Sequence, residues 1–275
     1  MTTQVPYILI DGELTSQLQA TDRGLHYGDG LFETMLIRDG VPQLWSAHMA
    51  RLAEGARRLL IPMPEETLLR AEAAQLCASQ PQGVLKILLT RGSGGRGYRV
   101  PDELLPSRIL LCYPWPLFPD FSQGVALRWC ETPLSSNPIL AGLKHLNRLE
   151  QVLARNEWQD KAIYEGLMCD IDGRVIEGTM SNLFVLKDGA ILTPELSHCG
   201  VAGVMRERFM AMLAASGVSC RQATIRREDV NSADELMISN SLIGLVPVSA
   251  LAGQPYPIEQ GLAYRQTLQQ YLESC

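Results

Sequence analysis

A single lysine stands at the centre of the stretch of this chain best suited to chemistry. Residues 138–156 read PILAGLKHLNRLEQVLARN, with Lys144 between an apolar run and the start of a helical pattern. Leucines then recur at helical spacing, which places Lys144 at or just before the first turn of a helix. Apolar neighbours desolvate the amine and favour its neutral, nucleophilic form. The alternative is a lysine whose stem lies along an apolar surface while its charge stays in water.

Lysine is scarce in this sequence, which narrows the choice of a reactive amine. The chain contains four lysines: Lys86, Lys144, Lys161 and Lys187. Lys187 lies in a KDG turn and Lys161 follows a polar helix end, so both are expected to face water. Lys86 alternates within VLKILLT and is expected to point out of one face of a strand. Lys144 is therefore the leading candidate and Lys86 the reserve.

An acidic residue and two anion-binding elements accompany this lysine. In IEGTMSNLF, residues 176–184, Glu177 is expected to be partly buried, and a buried carboxylate needs a cationic partner. The turn CGVAGVMRERF, residues 199–209, enters a helix whose first backbone N–H groups, including those of Val204 and Met205, favour an anion. Arg51 shares a helix face with His48 and could bind a phosphate bidentately. Each feature also has a simpler explanation when taken alone. Glu177 could be a solvated glutamate, the turn an ordinary helix start, and Arg51 a solvated arginine.

Together these groups call for one ligand with three features. Lys144 requires an aldehyde, Glu177 a protonated pyridine nitrogen, and Arg51 with the helix start a phosphate. Pyridoxal 5'-phosphate carries all three.

The elements that must position these residues indicate an α+β protein of two domains. Strands outnumber helices, and the proline-rich segment at 114–122 is a plausible linker between an N-terminal domain, 1–113, and a C-terminal domain, 123–275, that carries Lys144. Helices are expected at about 44–60, 65–79 and 202–215 and over the last twenty residues. The segment 22–30, DRGLHYGDG, is expected to be too rich in glycine for a helix.

Composition excludes several classes of function. The formal net charge is −6 and no dense basic cluster is present, which argues against a nucleic-acid partner. Neither a signal peptide nor a membrane-spanning segment is expected, and seven scattered cysteines suit reduced thiols in the cytoplasm. No set of residues has metal-ligand spacing.

A glycine-rich loop with arginines is the remaining candidate feature. GSGGRG at 92–97 matches a dinucleotide-binding pattern, but prolines follow where the required helix should begin, so that reading is rejected. The alternatives are a solvated loop without a role and a flexible loop in which Arg91, Arg96 and Arg99 bind a ligand rich in carboxylates.

The chain resembles the fold-type IV pyridoxal-phosphate enzymes, the group of branched-chain and D-amino-acid aminotransferases and aminodeoxychorismate lyases. The resemblance runs essentially from end to end. It is carried by GLHYGDGLFET (24–34), AHMARL (47–52), LTRGSGGRGY (89–98), LKHLNRLEQVLARNE (143–157), IEGTMSNLF (176–184), GVMRE (203–207) and SNSLIGLVPV (239–248). KHLNRLEQ, GSGGRGY and Thr34 are most similar to the lyases of the group.

The resemblance implies a role for each matching residue. Lys144 would link to the cofactor aldehyde and shuttle protons, and Glu177 would pair with the ring nitrogen. Arg51, Ser241 and the backbone of Val204 and Met205 would hold the phosphate; Met205 stands where aminotransferases often have threonine, so only its N–H can donate. Three residues would face the substrate, together with the 92–97 loop: Tyr27, Arg91 and Asn240.

The resemblance also implies a reaction and an assembly. A lyase of this group would convert 4-amino-4-deoxychorismate to 4-aminobenzoate, a folate precursor, and pyruvate. Lys144 would remove the C4 proton, and Lys144 or a Thr34 relay would protonate the leaving group. An aminotransferase for D- or branched-chain amino acids is the closest alternative, because the cofactor residues are shared. Family members are homodimers, so a homodimer acting on a small molecule is expected.

Overall fold

The computed structural model describes residues 7–78, 80–100, 102–103 and 105–273, which form two units. The first unit runs to Leu117 and also includes Leu143–Asn147, whereas the second contains Phe118–Gly142 and the chain from Arg148 onward. The boundary after Leu117 falls within the predicted linker. Lys144, predicted in the C-terminal domain, instead belongs to the first unit. The outer ends of both predicted domains, residues 1–6 and 274–275, lie outside the described residues.

The first unit is built on a six-stranded antiparallel sheet. Its strands are β1 (Tyr7–Ile10), β2 (Glu13–Leu14), β3 (Gly30–Arg38), β4 (Val41–Pro42), β5 (Gln82–Thr90) and β6 (Arg108–Pro114), in the spatial order β2-β1-β6-β5-β3-β4. Its helices are α1 (Arg23–Tyr27), α2 (Trp45–Leu59) and α3 (Glu66–Cys77). The helices predicted at 44–60 and 65–79 therefore correspond to α2 and α3.

The two faces of this sheet have different surroundings because side chains alternate along each strand. On one face, Leu31, Met35 and Ile87 are buried in a core shared with α2 and α3. The opposite face carries Phe32 and Thr34 of β3, both partly buried. β3 thus separates an apolar core on one face from a partly exposed surface on the other, which carries an aromatic ring and a hydroxyl.

The prediction that residues 22–30 contain no helix is wrong, because α1 spans Arg23–Tyr27. Asp22 caps its start by accepting a hydrogen bond from the Gly24 N–H, and Gly28 ends it in the left-handed conformation, with φ of 63°. The glycine that argued against a helix is therefore the residue that terminates one.

The second unit contains a mixed nine-stranded sheet. Its strands are β7 (Val125–Trp129), β8 (Ile163–Cys169), β9 (Val175–Gly178), β10 (Asn182–Lys187), β11 (Ala190–Pro194), β12 (Cys220–Ala223), β13 (Glu235–Asn240), β14 (Gly244–Leu251) and β15 (Gln254–Pro255). The main order is β12-β11-β10-β13-β14-β7-β8-β9, and β9 also pairs with β10, which closes a ring of six strands. An apolar cluster that includes Leu127, Leu183 and Ile238 forms its core.

Four helices belong to the second unit: α4 (Leu149–Arg155), α5 (Val204–Ala215), α6 (Arg227–Asn231) and α7 (Glu259–Glu273). The predicted position of Lys144 at the helix start needs correction, because α4 begins five residues later, at Leu149. Two residues of its expected apolar stripe, Leu149 and Leu153, are 77% and 59% exposed. Along the described chain, no helix is long and apolar enough to cross a membrane. The arrangement of both units confirms the predicted α+β class.

Candidate active site

Lys144 is positioned by backbone pairing with β3 and not by a helix. The Phe32 N–H donates to the Lys144 carbonyl oxygen at 3.0 Å, and the Leu146 N–H donates to the Gly30 carbonyl oxygen at 3.0 Å. A β-bridge between Leu31 and His145 lies between these two bonds. The segment that carries the lysine therefore extends the edge of the first sheet. At that edge, the Lys144 ammonium nitrogen lies 4.3 Å from the centre of the Phe32 ring.

Lys86 approaches the same aromatic ring from the neighbouring strand. Its ammonium nitrogen lies 5.2 Å from the Phe32 ring centre, and its position on β5 is directly opposite Thr34 on β3. Burial lowers the pKa of Lys86 from its ordinary value. Two of the chain's four lysines and Thr34 thus share one region of the sheet surface. The alternating sequence predicted the outward direction of Lys86 but not its proximity to Phe32.

On the core side of β3, Glu33 joins Arg51 and His48 of α2 in a buried network. The Arg51 Nε and Nη2 groups donate to the two Glu33 oxygens at 2.8 and 2.5 Å, and His48 Nδ1 donates to Glu33 Oε2 at 2.5 Å. Burial opposes ionisation of Glu33, but these hydrogen bonds hold its pKa below its ordinary value. Arg51, the predicted phosphate ligand, is therefore oriented by a carboxylate that sequence inspection did not identify as a site residue.

Burial and nearby positive charges favour the neutral form of His48. Burial lowers its pKa more than the contact with Glu33 raises it, and the positive charges of Arg51 and Lys144 lower it further. Because ionised Glu33 can only accept, the neutral ring donates from Nδ1. Its Nε2 is buried and has no hydrogen-bond partner among the described residues.

Arg91, predicted to face the substrate, is directed into the first unit. Its guanidinium forms an ion pair with Asp29 at 2.8 Å and donates to the carbonyl oxygens of Leu59 and Leu60. Only 6% of Arg91 is exposed. These contacts connect α2 to the end of β5, and the role of Arg91 toward a substrate stays a prediction. Arg96 of the same loop is exposed.

Tyr27 lies at the end of α1 against the glycine-rich loop. Its hydroxyl oxygen accepts a hydrogen bond from the Gly97 N–H at 3.1 Å, and its ring is 5.4 Å from that of Tyr98. Arg23 packs over the Tyr27 ring and donates to the Gly97 carbonyl oxygen at 3.0 Å. Tyr27 and Arg23 therefore hold the 92–97 loop, which the sequence alone presented as flexible.

In the second unit, Glu177 lies on the strand that closes the ring. It is 4% exposed, is paired with Asn182 of β10, and accepts a hydrogen bond from the Val201 N–H at 2.8 Å through Oε2. The Asn182 amide donates to the Val201 carbonyl oxygen at 2.8 Å. The side chains of Glu177 and Asn182 thus bind the backbone N–H and carbonyl oxygen of Val201, in the turn before α5. The predicted burial of Glu177 agrees with this placement.

That turn brings the start of α5 close to Asn182. Gly203 is the N-cap of the helix and provides no side-chain cap, and a Cβ at this position would overlap the Asn182 side-chain oxygen. Glycine is therefore required by close packing. Val204 and Met205 occupy the first turn, so their backbone N–H groups are the ones at the positive end of the helix dipole.

A fully buried glutamate, Glu165, supports the neighbouring turn and was missed from the sequence. It accepts hydrogen bonds from both the N–H and the hydroxyl of Thr179, from the Met180 N–H and from the Ser181 hydroxyl. Burial raises its pKa despite these donors. The available signal was an acidic residue within the otherwise apolar strand IYEGLMC.

Asn240, the third predicted substrate residue, braces the same turn. Its amide donates to the Met180 carbonyl oxygen at 3.1 Å, and its side-chain oxygen accepts from the N–H groups of Leu242 and Ile243. A substrate contact could use only its second amide hydrogen, and the role of Asn240 toward a substrate stays a prediction. Ser241 follows in the turn after β13 and is partly buried.

The residues present fit pyridoxal phosphate chemically. Lys144 supplies an amine and Glu177 a buried carboxylate. Arg51 and the twelve-residue helix α5, which begins without a side-chain cap, supply groups that bind a phosphate. Among the described residues, no group of three or more histidine, cysteine or acidic side chains could hold a metal ion.

The sequence profile of amino-transferase class IV matches residues 30–251. The chain belongs to this family. Its members depend on pyridoxal 5'-phosphate, so the cofactor and the family resemblance predicted from the sequence are confirmed. The matched region includes every predicted site residue except Tyr27, which precedes it.

Individual relatives carry more specific names. The chain is 34% identical to an aminodeoxychorismate lyase of Vibrio harveyi, over 91% of this chain and 93% of that protein. A solved structure of 4-amino-4-deoxychorismate lyase from Pseudomonas aeruginosa has a TM-score of 0.91 and 45% identity and covers 96% of this chain and 98% of its own. The branched-chain amino acid aminotransferase of Escherichia coli, with a TM-score of 0.83, 23% identity and coverage of 96% and 92%, shares the fold.

Replacing Glu33 with glutamine tests the buried network through its pH dependence. Because the pKa of Glu33 lies below its ordinary value of 4.5, its ionised form stabilises the folded protein fully above that pH, and the contribution is lost as the pH falls through the folded-state pKa. We expect Glu33→Gln to lower the free energy of unfolding by about 3 to 5 kcal/mol at pH 7. Urea unfolding measured from pH 7 to pH 3 should show this difference shrinking.

Glu54→Gln is the matched control, because Glu54 forms an ion pair that is exposed. Both Glu54 and its partner Arg57 lie on α2. This variant should leave the unfolding midpoint unchanged. An equal loss of stability in Glu33→Gln at pH 7 and at pH 3 would contradict the assignment of an ionised Glu33.

Proposed function

We propose that this protein is a pyridoxal-phosphate-dependent lyase that converts 4-amino-4-deoxychorismate to 4-aminobenzoate and pyruvate, a step toward folate. The proposal rests on the close similarity along nearly the whole chain to proteins named for this activity. The presence of both Lys144 and Glu177 argues against a binding module that has lost catalysis.

When bound, pyridoxal phosphate supplies an aldehyde that links to amines and a ring that accepts the electron pair left by proton removal. Lys144 is the amine that holds the cofactor, and its nitrogen accepts the proton from C4 of the substrate. Glu177 keeps the ring nitrogen protonated, which preserves the capacity of the ring to accept electrons. Arg51, Ser241 and the backbone N–H groups of Val204 and Met205 hold the phosphate.

The remaining roles concern the substrate. Thr34 carries a hydroxyl next to Phe32 and opposite Lys86, where it can relay a proton to the departing enolpyruvyl group. Tyr27 lines the substrate pocket and positions the glycine-rich loop, and Arg91, Asn240 and that loop contact the substrate. Because the reaction ends in an aromatic ring and needs no amino-group acceptor, proton transfer and orientation are the main tasks of the protein.

The alternative function is a D-amino-acid or branched-chain aminotransferase. A putative branched-chain aminotransferase of Methanocaldococcus jannaschii is 27% identical over 88% of this chain, so cofactor binding alone does not separate the two. Thr34 and the arginine-bearing loop favour a dicarboxylate substrate over a small aliphatic one. We propose the lyase over the aminotransferase because of these substrate-side residues.

The proposed assembly is a cytoplasmic homodimer. Helix α4 presents apolar Leu149, Val152 and Leu153 on one surface, and the exposed fraction of each exceeds one half. Leucine and valine side chains clustered in this way usually mark a contact surface. A second copy of the chain would remove this surface from water.

The activity is tested by measuring both products. With enzymatically generated aminodeoxychorismate, we expect equimolar 4-aminobenzoate and pyruvate from the wild-type protein and neither from Lys144→Ala. Lys187→Ala, which removes a lysine that donates to Ser232, should retain activity. A protein that binds cofactor but forms no 4-aminobenzoate, and instead transfers an amino group to an oxo acid, would favour the aminotransferase.

The proton relay is tested by removing the Thr34 hydroxyl. We expect Thr34→Ala to slow pyruvate formation at least about 100-fold in single-turnover experiments, which is the usual minimum contribution of a positioned proton donor. Thr34→Ser retains the hydroxyl and should stay within a few-fold of wild type. An unchanged rate in Thr34→Ala would exclude the relay.

The assembly is tested with Val152→Glu in analytical ultracentrifugation. A charge on the exposed apolar surface of α4 should shift the protein from dimer toward monomer, because burying it unpaired is unfavourable. Leu117→Glu places the same charge at a residue that is 96% exposed and should leave the dimer intact. A wild-type protein that sediments as a monomer at all concentrations would exclude this assembly.

A further inference from the structure

Two of the four lysines of this protein contact one aromatic ring. The ammonium nitrogens of Lys144 and Lys86 lie 4.3 and 5.2 Å from the centre of the Phe32 ring. The distance between the two nitrogens cannot exceed the sum of these values, which is about one Debye length, ~10 Å, at 0.1 M salt. The two ammonium groups therefore lie within electrostatic range of each other, beside the same aromatic side chain.

The strand pairing keeps Lys86 in this position. Residue 86 lies between Thr34 of β3 and Leu111 of β6, neither of which carries a charge. The side chain is only partly exposed, and no carboxylate in the described part of the chain lies within ion-pair distance of it. Burial lowers its own pKa, which is consistent with a cation that water screens weakly.

The charge of Lys144 reaches His48 of α2, and His48 contacts Glu33 of β3. His48, whose pKa the charge of Lys144 helps to lower, is neutral. Glu33 and Arg51 form an ion pair whose opposite charges largely compensate each other. Lys86 is therefore the cation in this group that neither a carboxylate nor a change of protonation state offsets.

We propose that Lys86 activates Lys144 electrostatically: its ammonium charge, held near the same Phe32 ring, disfavours a second positive charge and keeps more of Lys144 neutral. The Phe32 ring acts in the reverse direction, since the face of an aromatic ring favours a nearby ammonium. Lys86 acts through Lys144 and is thus a positioning residue. The proposal deepens the proposed function but rests on it only in taking Lys144 as the reactive amine.

The scarcity of lysine makes a direct measurement practical. In full-length protein labelled with ¹³C and ¹⁵N at the lysine side chains and freed of cofactor, four signals can be titrated by NMR and assigned with single lysine-to-arginine variants. We expect Lys86→Met, or Lys86→Gln if methionine disturbs packing, to raise the pKa of Lys144 by about one pH unit. Lys86→Arg retains the charge and should keep the wild-type value.

Phe32→Leu should shift the pKa of Lys144 in the direction opposite to that of Lys86→Met. Removing the ring takes away a group that stabilises the ammonium form, so the pKa of Lys144 should fall. In the cofactor-loaded variants, the pH midpoint of the visible absorption band, which reports protonation of the nitrogen contributed by Lys144, should move in the same directions. A general loss of structure would not produce shifts of opposite sign.

Arg38→Met is the matched control for loss of one positive charge. Arg38 is exposed on the same strand, six residues from Phe32 and thus about 20 Å away, so the pKa of Lys144 should not change. An unchanged pKa of Lys144 in Lys86→Met and Lys86→Gln, or an equal rise in Lys86→Arg, would overturn the proposal. Because this titration needs no substrate, its outcome is independent of whether 4-aminobenzoate is formed.

Discussion

The short backbone pairing between residues 30–32 and 144–146 is the contact on which the chemistry of the first unit depends. Two N–H···O bonds attach the lysine segment to β3, although more than a hundred residues separate the two segments along the chain. Backbone bonds fix direction as well as distance, so the side chain of Lys144 meets the Phe32 ring whatever the preceding loop does. A lysine on a free loop would have to order its backbone as well as its side chain before reacting.

Side chains alternate between the two faces of β3, so each face of the strand has different contacts. Phe32 and Thr34 share a surface with the lysines, while Glu33, between them in sequence, points into the core and orients Arg51. One extended tripeptide thus connects the amine, the hydroxyl and the arginine. A change of register by one residue would exchange the two sides and separate all three groups from their partners.

Most of the regular elements could be predicted from the sequence, because hydrophobic periodicity identifies a helix such as α2 or a strand such as β5 locally. Long-range contacts could not. Helix α1 was missed because its end depends on a left-handed glycine. Helix α4 starts later than its leucine spacing suggests because the residues before it, including Leu146, pair with β3. The sequence did mark two candidate site residues. Lys144 is one of only four lysines and has apolar neighbours, and Glu177 is an acidic residue between two apolar strands.

The hydrogen bonds that Arg91 and Asn240 make within the protein could not be predicted, for a related reason. A side chain's type shows what it can bind, but only the fold shows whether nearby carbonyl groups or a carboxylate already occupy its donors. Glu165 is the reverse case, because its five hydrogen bonds come from residues that are individually unremarkable in sequence.

The closed ring of strands in the second unit has a consequence for how the enzyme meets its cofactor. Glu177 itself has a strand neighbour on each side, Met168 of β8 and Asn182 of β10, so its backbone position is held from both directions. Its carboxylate is set in place by folding and not by ligand arrival. A cationic partner would therefore meet a carboxylate whose orientation is fixed by the folded chain, with no reorganisation needed on binding.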